Sequence, residues 1–170
     1  MVKKERVLAD ISTFQGKYRH PELGNKYDIS PEYCLTPDNP NVNNKGKVVY
    51  EWPGEYPPQF GKPGVYLVFS EERLLTYVGK ASLSSTISGR LGAYFSYEKD
   101  RVTCKIKHKW VNEPKFVIAV AMPEGHAFEA PALEEYLITR YRTELPDNMS
   151  GTGKKRTLKP KADDAQTTPV

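Results

Sequence analysis

The sequence predicts an α+β fold in which a small, mainly antiparallel three-stranded sheet packs against flanking helices. Two apolar runs, residues 64–69 and 74–79, are separated by the polar turn at residues 70–73, which is the pattern of a β-hairpin. A third run, residues 115–121, is almost entirely apolar, as expected for a central strand buried on both faces. Apolar residues then recur with a helical period over about residues 126–144. A hairpin, a third strand and a long amphipathic helix together indicate layers of sheet and helix.

The remaining segments are assigned in chain order. Residues 1–58 are interpreted as an N-terminal extension packed on the core, with a long loop over residues 37–46 and a short strand over residues 47–52. Residues 59–149 form the main domain, in which a helix over about residues 85–97 follows the hairpin. Ser84 or Ser85 is expected to cap this helix. Residues 150–170 are predicted to be a disordered basic tail.

Composition limits the classes of protein that need to be considered. The 170 residues, 38% hydrophobic and 11% aromatic, suit one globular domain with an extension. No run approaches the roughly 20 apolar residues of a membrane span, and Met1 is followed by no signal-peptide core, so we expect a cytoplasmic protein without a membrane partner. Cys34 and Cys104 lie far apart without metal-type spacing, which indicates neither a disulfide framework nor a zinc site.

Basic residues are concentrated in two places. The last twenty residues hold five basic side chains against two acidic ones, out of a net charge of +4 for the chain. The basic side chains of this tail include Lys154, Lys155 and Arg156, which are expected to contact nucleic-acid phosphates without sequence preference. Lys105, Lys107 and Lys109 alternate along a predicted strand, so they would project to one side and could track a phosphate backbone. A solvated strand face is the alternative interpretation, and charge alone does not separate the two.

Glu134 is the most informative position of the long helix. At about 100° per residue, an apolar face of this helix has Glu134 in its middle, whereas Glu135 projects away from it. The face consists of Ala130, Leu133, Leu137, Ile138 and Tyr141. A carboxylate among apolar neighbours is costly without a partner, so either a divalent cation or a buried arginine is expected.

Arg90 and two tyrosines complete the set of candidates. Arg90 lies at the edge of an apolar helical face, where its planar guanidinium could bind a scissile phosphate or simply extend into solvent. Tyr66 and Tyr77 project from the two strands of the hairpin, where tyrosines most often serve in packing. A tyrosine acting as a base has to lose a proton with an ordinary pKa of about 10, so it needs cationic neighbours.

Five segments in order resemble the signature of the GIY-YIG nuclease family over roughly residues 60–150. They are Gly64-Val65-Tyr66, Tyr77-Val78-Gly79, Ser88-Gly89-Arg90-Leu91, residues 132–138 (ALEEYLI) and Pro146-Asp147-Asn148. The resemblance implies a set of roles: Tyr77 activates water, Tyr66 orients the nucleophile or phosphate, Lys80 contacts the phosphate, Arg90 stabilises the transition state, Glu134 binds the metal and Asn148 fixes the site by hydrogen bonds. In one departure, Tyr94 stands where several relatives carry a histidine one turn after the arginine.

The resemblance implies a stand-alone endonuclease that hydrolyses DNA phosphodiester bonds with Mg²⁺, for which Mn²⁺ could substitute, and with no small-molecule cofactor. A restriction-type enzyme is the preferred interpretation, gaining specificity from its N-terminal extension and from homodimerisation. A homing or mobile-element nuclease and a toxin-like nuclease acting on DNA or RNA are alternatives. A module that binds nucleic acid without cleaving it is the alternative from another functional class.

Overall fold

The computed structural model describes residues 1–36, 58–98 and 104–148, together with two short strands between the first two ranges. The helices are α1 (Lys4–Lys17), α2 (Ile87–Leu91) and α3 (Glu129–Arg140). The strands are β1 (Asp28–Ile29), β2 (Tyr33–Cys34), β3 (Asn41–Val42), β4 (Val48–Val49), β5 (Gly64–Phe69), β6 (Leu75–Ala81), β7 (Phe95–Tyr97), β8 (Cys104–Ile106) and β9 (Phe116–Ala121). The predicted α+β class is confirmed.

The main sheet has β5 at its centre, between β6 and β9, and every strand pair in it is antiparallel. The three predicted strands therefore form the core of this sheet. Two short strands from the N-terminal segment, β1 and β2, extend it beyond β9. Because β5 and β9 are almost wholly apolar and lie inside the sheet, both of their faces are buried. Strand β6 lies at the edge of this sheet and carries Tyr77, Gly79 and Lys80.

The sheet separates two hydrophobic cores. One side, called the helix face, packs Val65, Leu67 and Val78 against α1 and α3. The other side, called the tyrosine face, carries Tyr66 and packs against α2 and the β7–β8 hairpin. This division follows from the two-residue period of β5, which sends alternate side chains to opposite faces.

Helix α1 was not predicted, although its buried residues Val7, Ile11 and Phe14 follow a helical period. Two buried carboxylates join it and the segment that follows it to α3. Asp10 on α1 accepts a hydrogen bond of 2.7 Å from Arg140 Nε. Glu129 on α3 accepts a bidentate pair from Arg19, at 2.6 and 3.0 Å. Residues 1–36 thus contribute side chains to the main core.

The predicted helix over residues 85–97 is wrong beyond Leu91. Helix α2 spans only Ile87–Leu91, and Phe95–Tyr97 instead forms β7, paired with β8. Glycine costs about 1 kcal/mol in a helix interior, so Gly89 and Gly92 weaken a longer helix, and strand pairing prevails. The cap is Thr86 rather than Ser84 or Ser85, because its hydroxyl accepts a hydrogen bond of 3.2 Å from the Gly89 N–H.

The predicted stripe of Lys105, Lys107 and Lys109 is also wrong, because β8 ends at Ile106. Lys105 pairs with Glu98 at 2.9 Å, and Lys107 donates to the Gly92 carbonyl at 2.7 Å. The long helix is shorter than predicted and ends at Arg140.

Part of the predicted loop over residues 37–46 is strand β3, which pairs with β4. The predicted tail, residues 150–170, lies outside the described residues. No helix in the described ranges combines the length and apolar character that a bilayer span requires.

Candidate active site

Two glycines set the geometry of the β5–β6 hairpin. A Cβ atom on Gly64 would lie 2.1 Å from the Val120 carbonyl oxygen, so this glycine lets β9 approach β5 closely. Gly79 pairs across the hairpin with Tyr66. A Cβ atom on Gly79 would lie 2.4 Å from Tyr66 Cζ and 2.5 Å from its hydroxyl oxygen. The absence of a side chain at Gly79 therefore allows the Tyr66 ring to lie across the edge strand.

An aromatic cluster covers this part of the tyrosine face. The rings of Tyr66 and Tyr77 stack with centroids 6.0 Å apart and an interplanar angle of 28°. The hydroxyl oxygens of Tyr77 and Tyr94 lie 3.1 Å apart, within hydrogen-bonding distance. Trp110 meets the Tyr77 ring edge-on, with centroids 5.6 Å apart. The cluster holds the three tyrosine side chains in fixed relative positions, as a preorganised site requires.

Burial favours the neutral form of both motif tyrosines. It raises the pKa of Tyr66, with a further increase from the nearby Tyr94 hydroxyl, while the Arg90 charge acts in the opposite direction. Burial also raises the pKa of Tyr77, and the neighbouring Tyr66 and Tyr94 increase it further. The Tyr66 hydroxyl is buried and has no hydrogen-bond partner within the described ranges. A buried hydroxyl without a partner is uncommon, and it marks this position as one where a ligand atom could bind.

Lys80 and Glu134 meet on the opposite side of the edge strand. Lys80 pairs with Val65 and so lies on the helix face, where its ammonium donates to Glu134 Oε2. The side chain of Glu134 is only 14% exposed, against 39% for Lys80. The cationic partner of this carboxylate is thus a lysine, where the sequence had suggested an arginine or a metal. Oε1 of Glu134 has no hydrogen bond among the described residues, and Glu135 is exposed.

A cavity at the edge of β6 brings the motif residues from both faces together. It has a volume of about 270 Å³ and is lined by Tyr66, Tyr77, Lys80, Ser82, Ser85, Arg90 and Glu134. Arg90 is held there because α2 is anchored to both neighbouring segments. Ile87 N donates to the Lys62 carbonyl at 3.0 Å, and the Ile87 side chain packs in the core of the tyrosine face. Four elements, β5, β6, α2 and α3, therefore each contribute a polar side chain to one cavity.

Asn148 lies beside this cavity but does not line it. Its side chain is buried and forms two hydrogen bonds with one residue of the edge strand. Val78 N donates to Asn148 Oδ1 at 2.7 Å, and Asn148 Nδ2 donates to the Val78 carbonyl at 2.6 Å. The amide thus replaces a neighbouring strand at the free edge of β6. Its contacts fix the backbone between Tyr77 and Gly79.

A second cavity of about 510 Å³ adjoins the first and shares Tyr77, Lys80 and Glu134 with it. It adds residues that sequence reasoning did not select: Tyr94, His108, Trp110 and Asp147. Lys109, selected only for charge, also lines it. The imidazole of His108 packs against Tyr94 with ring centroids 5.2 Å apart. Lys107 N donates to the Tyr94 carbonyl at 2.8 Å, which holds this segment in place.

The donor set at Glu134 fits Mg²⁺ better than a transition metal. Within the described ranges no three His, Cys, Asp or Glu side chains come together as a metal cluster. Mg²⁺ in phosphoryl-transfer sites commonly uses one or two carboxylates, several waters and substrate phosphates. A single carboxylate with one oxygen unengaged, facing a polar cavity that also holds Arg90, suits that mode. Neither Cys34 nor Cys104 belongs to the lining of either cavity.

The predicted nucleic-acid-binding residues are placed only in part. Lys109 lines the larger cavity, whereas Lys105 and Lys107 are engaged by Glu98 and the Gly92 carbonyl. Lys154, Lys155 and Arg156 lie outside the described residues.

Comparison with known protein families gives a match that covers the whole of the site. Residues 62–148, about half of the 170 residues, match the family model of the GIY-YIG catalytic domain. Comparisons with curated proteins and with solved structures give no match. The matched range begins two residues before the hairpin and ends at Asn148, and it contains all six predicted catalytic residues. With the ordered motifs, the hairpin and the shared cavity in agreement with that match, this chain belongs to the GIY-YIG family of nucleases.

Proposed function

We propose that this protein is a Mg²⁺-dependent DNA endonuclease of the restriction type. The observation that carries the proposal is the cavity at the edge of β6, into which five of the six motif side chains converge from four different elements. A tyrosine, a lysine, an arginine and a carboxylate in one cavity supply groups that can hold a phosphate, accept a proton and bind a divalent cation.

Glu134 would hold the Mg²⁺ ion, together with waters and phosphate oxygens. The ion would act as a Lewis acid on the scissile phosphate and stabilise the leaving oxygen. Lys80 keeps the Glu134 carboxylate oriented, and with 39% of its side chain exposed it can also contact a phosphate. Arg90 is exposed and lines the same cavity, and the planar fork of donors on its guanidinium suits the negative charge of the pentavalent transition state.

Tyr77 is the proposed proton acceptor, acting through its neighbours. Because burial raises its pKa, the hydroxyl carries its proton at neutral pH and can take one from water only by passing its own onward. The Tyr94 hydroxyl at 3.1 Å is positioned to receive it, and the His108 imidazole packs on the Tyr94 ring. In this proposal the final acceptor is the His108 imidazole, which lines the same cavity as both tyrosines and would take the Tyr94 proton through a bridging water molecule. Tyr66, which feels the charge of Arg90 in the same cavity, would orient the phosphate or the attacking water.

The test uses purified protein with plasmid DNA, genomic DNA and RNA, each with Mg²⁺ and with a chelator. Discrete bands from both DNAs, dependent on Mg²⁺, are expected of a restriction-type enzyme. Very rare cuts in genomic DNA would favour a homing or mobile-element nuclease, and a smear or RNA cleavage would favour a toxin-like nuclease. Binding to DNA without cleavage under any condition would contradict the proposal and favour an inactive binding module.

A matched pair of variants on α3 sharpens this test. Glu134→Gln should abolish cleavage, because the carboxylate that would hold the metal is lost, and should leave DNA binding largely intact, because Arg90 and the released Lys80 can still contact phosphates. Glu135→Gln changes the adjacent, exposed carboxylate and should leave the cleavage rate within about two-fold, the usual size of a surface effect. Loss of cleavage in Glu135→Gln but not in Glu134→Gln would contradict the assignment of Glu134.

A further inference from the structure

The turn between β6 and α2 contains an unusual leucine. Among the described residues, only Arg73 and Leu83 are non-glycine residues with a positive φ, both at 57°. The Arg73 conformation is explained by its contacts, because the guanidinium lies 4.4 Å from the Phe116 ring centroid and Nε donates to Glu32 at 3.0 Å. Leu83 has no such compensation, since 84% of its surface is exposed. A single exposed leucine is ordinary, but a strained and exposed one is not.

The local hydrogen bonding defines what residue this position favours. Ser85 N donates to the Ser82 carbonyl at 3.2 Å, which closes a four-residue turn with Leu83 at its first central position. Turns with a positive φ at that position favour glycine or asparagine, because Cβ crowds the backbone in this region. A bulky apolar residue at the tip thus lowers the stability of the folded protein, and no contact within the described structure offsets the loss. Such outliers are characteristic of functional positions.

The position of the turn indicates what it would contact. Ser82 and Ser85, on either side of Leu83, both line the cavity that holds Arg90 and Glu134. The turn directly connects the strand that carries Lys80 with the helix that carries Arg90. A nucleic acid whose phosphate binds at Arg90 therefore passes the turn, where serine hydroxyls can contact phosphates beside the apolar tip.

We propose that Leu83 is an apolar wedge that inserts between base pairs of duplex DNA next to the scissile phosphate; this rests on the proposed DNA endonuclease function. Nucleic-acid-binding proteins use leucine in this way to unstack a base step and bend the duplex. Insertion of Leu83 would place the phosphate of the unstacked base step against the cavity that holds Arg90 and Glu134. The unfavourable backbone conformation of Leu83 is then offset in the complex with DNA, where its side chain contacts bases.

The test measures binding and unstacking in a Glu134→Gln background, in which the DNA stays intact. Duplexes carry 2-aminopurine at the cut site, and its fluorescence rises when the base is unstacked. With Leu83 present, binding should raise the fluorescence. Leu83→Gly and Leu83→Asn should abolish the rise and weaken binding about ten- to hundred-fold, the equivalent of burying one leucine. The Tm of both variants should be unchanged or higher, because the strain is relieved.

Two further variants serve as controls. Leu83→Met keeps an apolar side chain of similar volume and should retain both the fluorescence rise and the affinity. Phe128→Asn removes another exposed apolar side chain, 59% exposed at the start of α3 and outside both cavities, and should change neither measurement.

Three results would overturn the wedge. Equal affinity and equal fluorescence with and without Leu83 would show that it does not touch bases. A fall in Tm parallel to the loss of binding would assign Leu83 a structural role. Binding by the parent without any fluorescence rise would show that no step is opened. If the parent fails to bind duplex DNA at all, the proposed function fails together with the wedge, whereas the first three results leave that function intact.

Discussion

The contact between Gly79 and Tyr66 gives the sharpest prediction about the site. In Gly79→Ala, the new Cβ would lie 2.4 Å from Tyr66 Cζ, whereas ordinary contacts begin at 3.4 Å. The ring would have to withdraw by about 1 Å, and it is buried among Tyr77 and Tyr94, so it has little room to do so. Overpacking of this kind destabilises the folded protein by about 1–3 kcal/mol. Replacing glycine by alanine also lowers the conformational entropy of the unfolded chain, which offsets about 0.4–1 kcal/mol of that loss.

We therefore expect Gly79→Ala to lower the free energy of unfolding by about 1–2 kcal/mol, which for a chain of this size lowers Tm by about 2–8 °C. Single-turnover cleavage should fall more steeply, by about 10²-fold, because a displacement of 1 Å at a reacting group has an effect of that size. Both are measured on the same preparation, by urea unfolding and by cleavage at saturating Mg²⁺.

Two controls isolate the contact. Gly16→Ala, on α1, adds a Cβ with no atom within 4 Å and should be neutral or slightly stabilising. In a Tyr66→Leu background the atoms that clash are absent, so adding Gly79→Ala should cost no further stability. An unchanged Tm and cleavage rate in Gly79→Ala, or equal losses with and without the Tyr66 ring, would refute this reasoning.

Three further predictions concern the relay, the edge strand and the buried ion pair. Tyr77→Phe and His108→Gln should each slow single-turnover cleavage by about 10²- to 10⁴-fold with little loss of affinity, and an unchanged pH–rate profile in His108→Gln would exclude the imidazole. Asn148→Leu should lower the free energy of unfolding by about 1–3 kcal/mol for each of the two groups it leaves without a partner, the N–H and the carbonyl of Val78. A urea midpoint equal to that of the wild type would contradict this. Burial alone would raise the pKa of Glu129, but the hydrogen bonds from Arg19 outweigh burial and lower that pKa. The Arg19–Glu129 pair therefore stabilises the folded protein above the ordinary glutamate pKa of about 4.3, and this stabilisation is lost as the pH falls below it. Arg19→Met should lower the free energy of unfolding by about 3–5 kcal/mol at pH 7. The loss should be smaller at pH 5, because the unpaired, buried Glu129 then has a raised pKa and is partly protonated; equal losses at both pH values would contradict this role of the pair.

The parts of the fold that could be predicted from sequence are those with a strong local pattern. The hairpin and β9 were predictable because their apolar runs are bounded by polar turns, and the structure has them at residues 64–69, 75–81 and 116–121. Glu134 was selected because a carboxylate within an apolar helical face requires a partner. Its partner, Lys80, lies 54 residues away, and the packing of α3 against β6 brings the two together.

Other features have signals that are weak or entirely non-local. Residues 87–95 contain apolar positions compatible with a helix, but Phe95 pairs with Ile106 in a strand. That outcome depends on the β7–β8 pairing, which overrides a marginal helical preference. His108 and Trp110 reach the site by the same hairpin, so no spacing relative to the motif residues could have indicated them. Helix α1 is different, because the period of Val7, Ile11 and Phe14 was present in the sequence.

The division of the site between the two sides of the sheet bears on when the protein becomes active during synthesis. The tyrosines and Arg90 are translated early, whereas Glu134 and the amide that fixes the edge strand come near the end of the described chain, at Asn148. A nascent chain on the ribosome that has not yet released α3 lacks both the carboxylate and the apolar side chains with which α3 packs on the helix face. A chain that ends before α3 therefore carries the tyrosines and Arg90 without the carboxylate that completes the cavity.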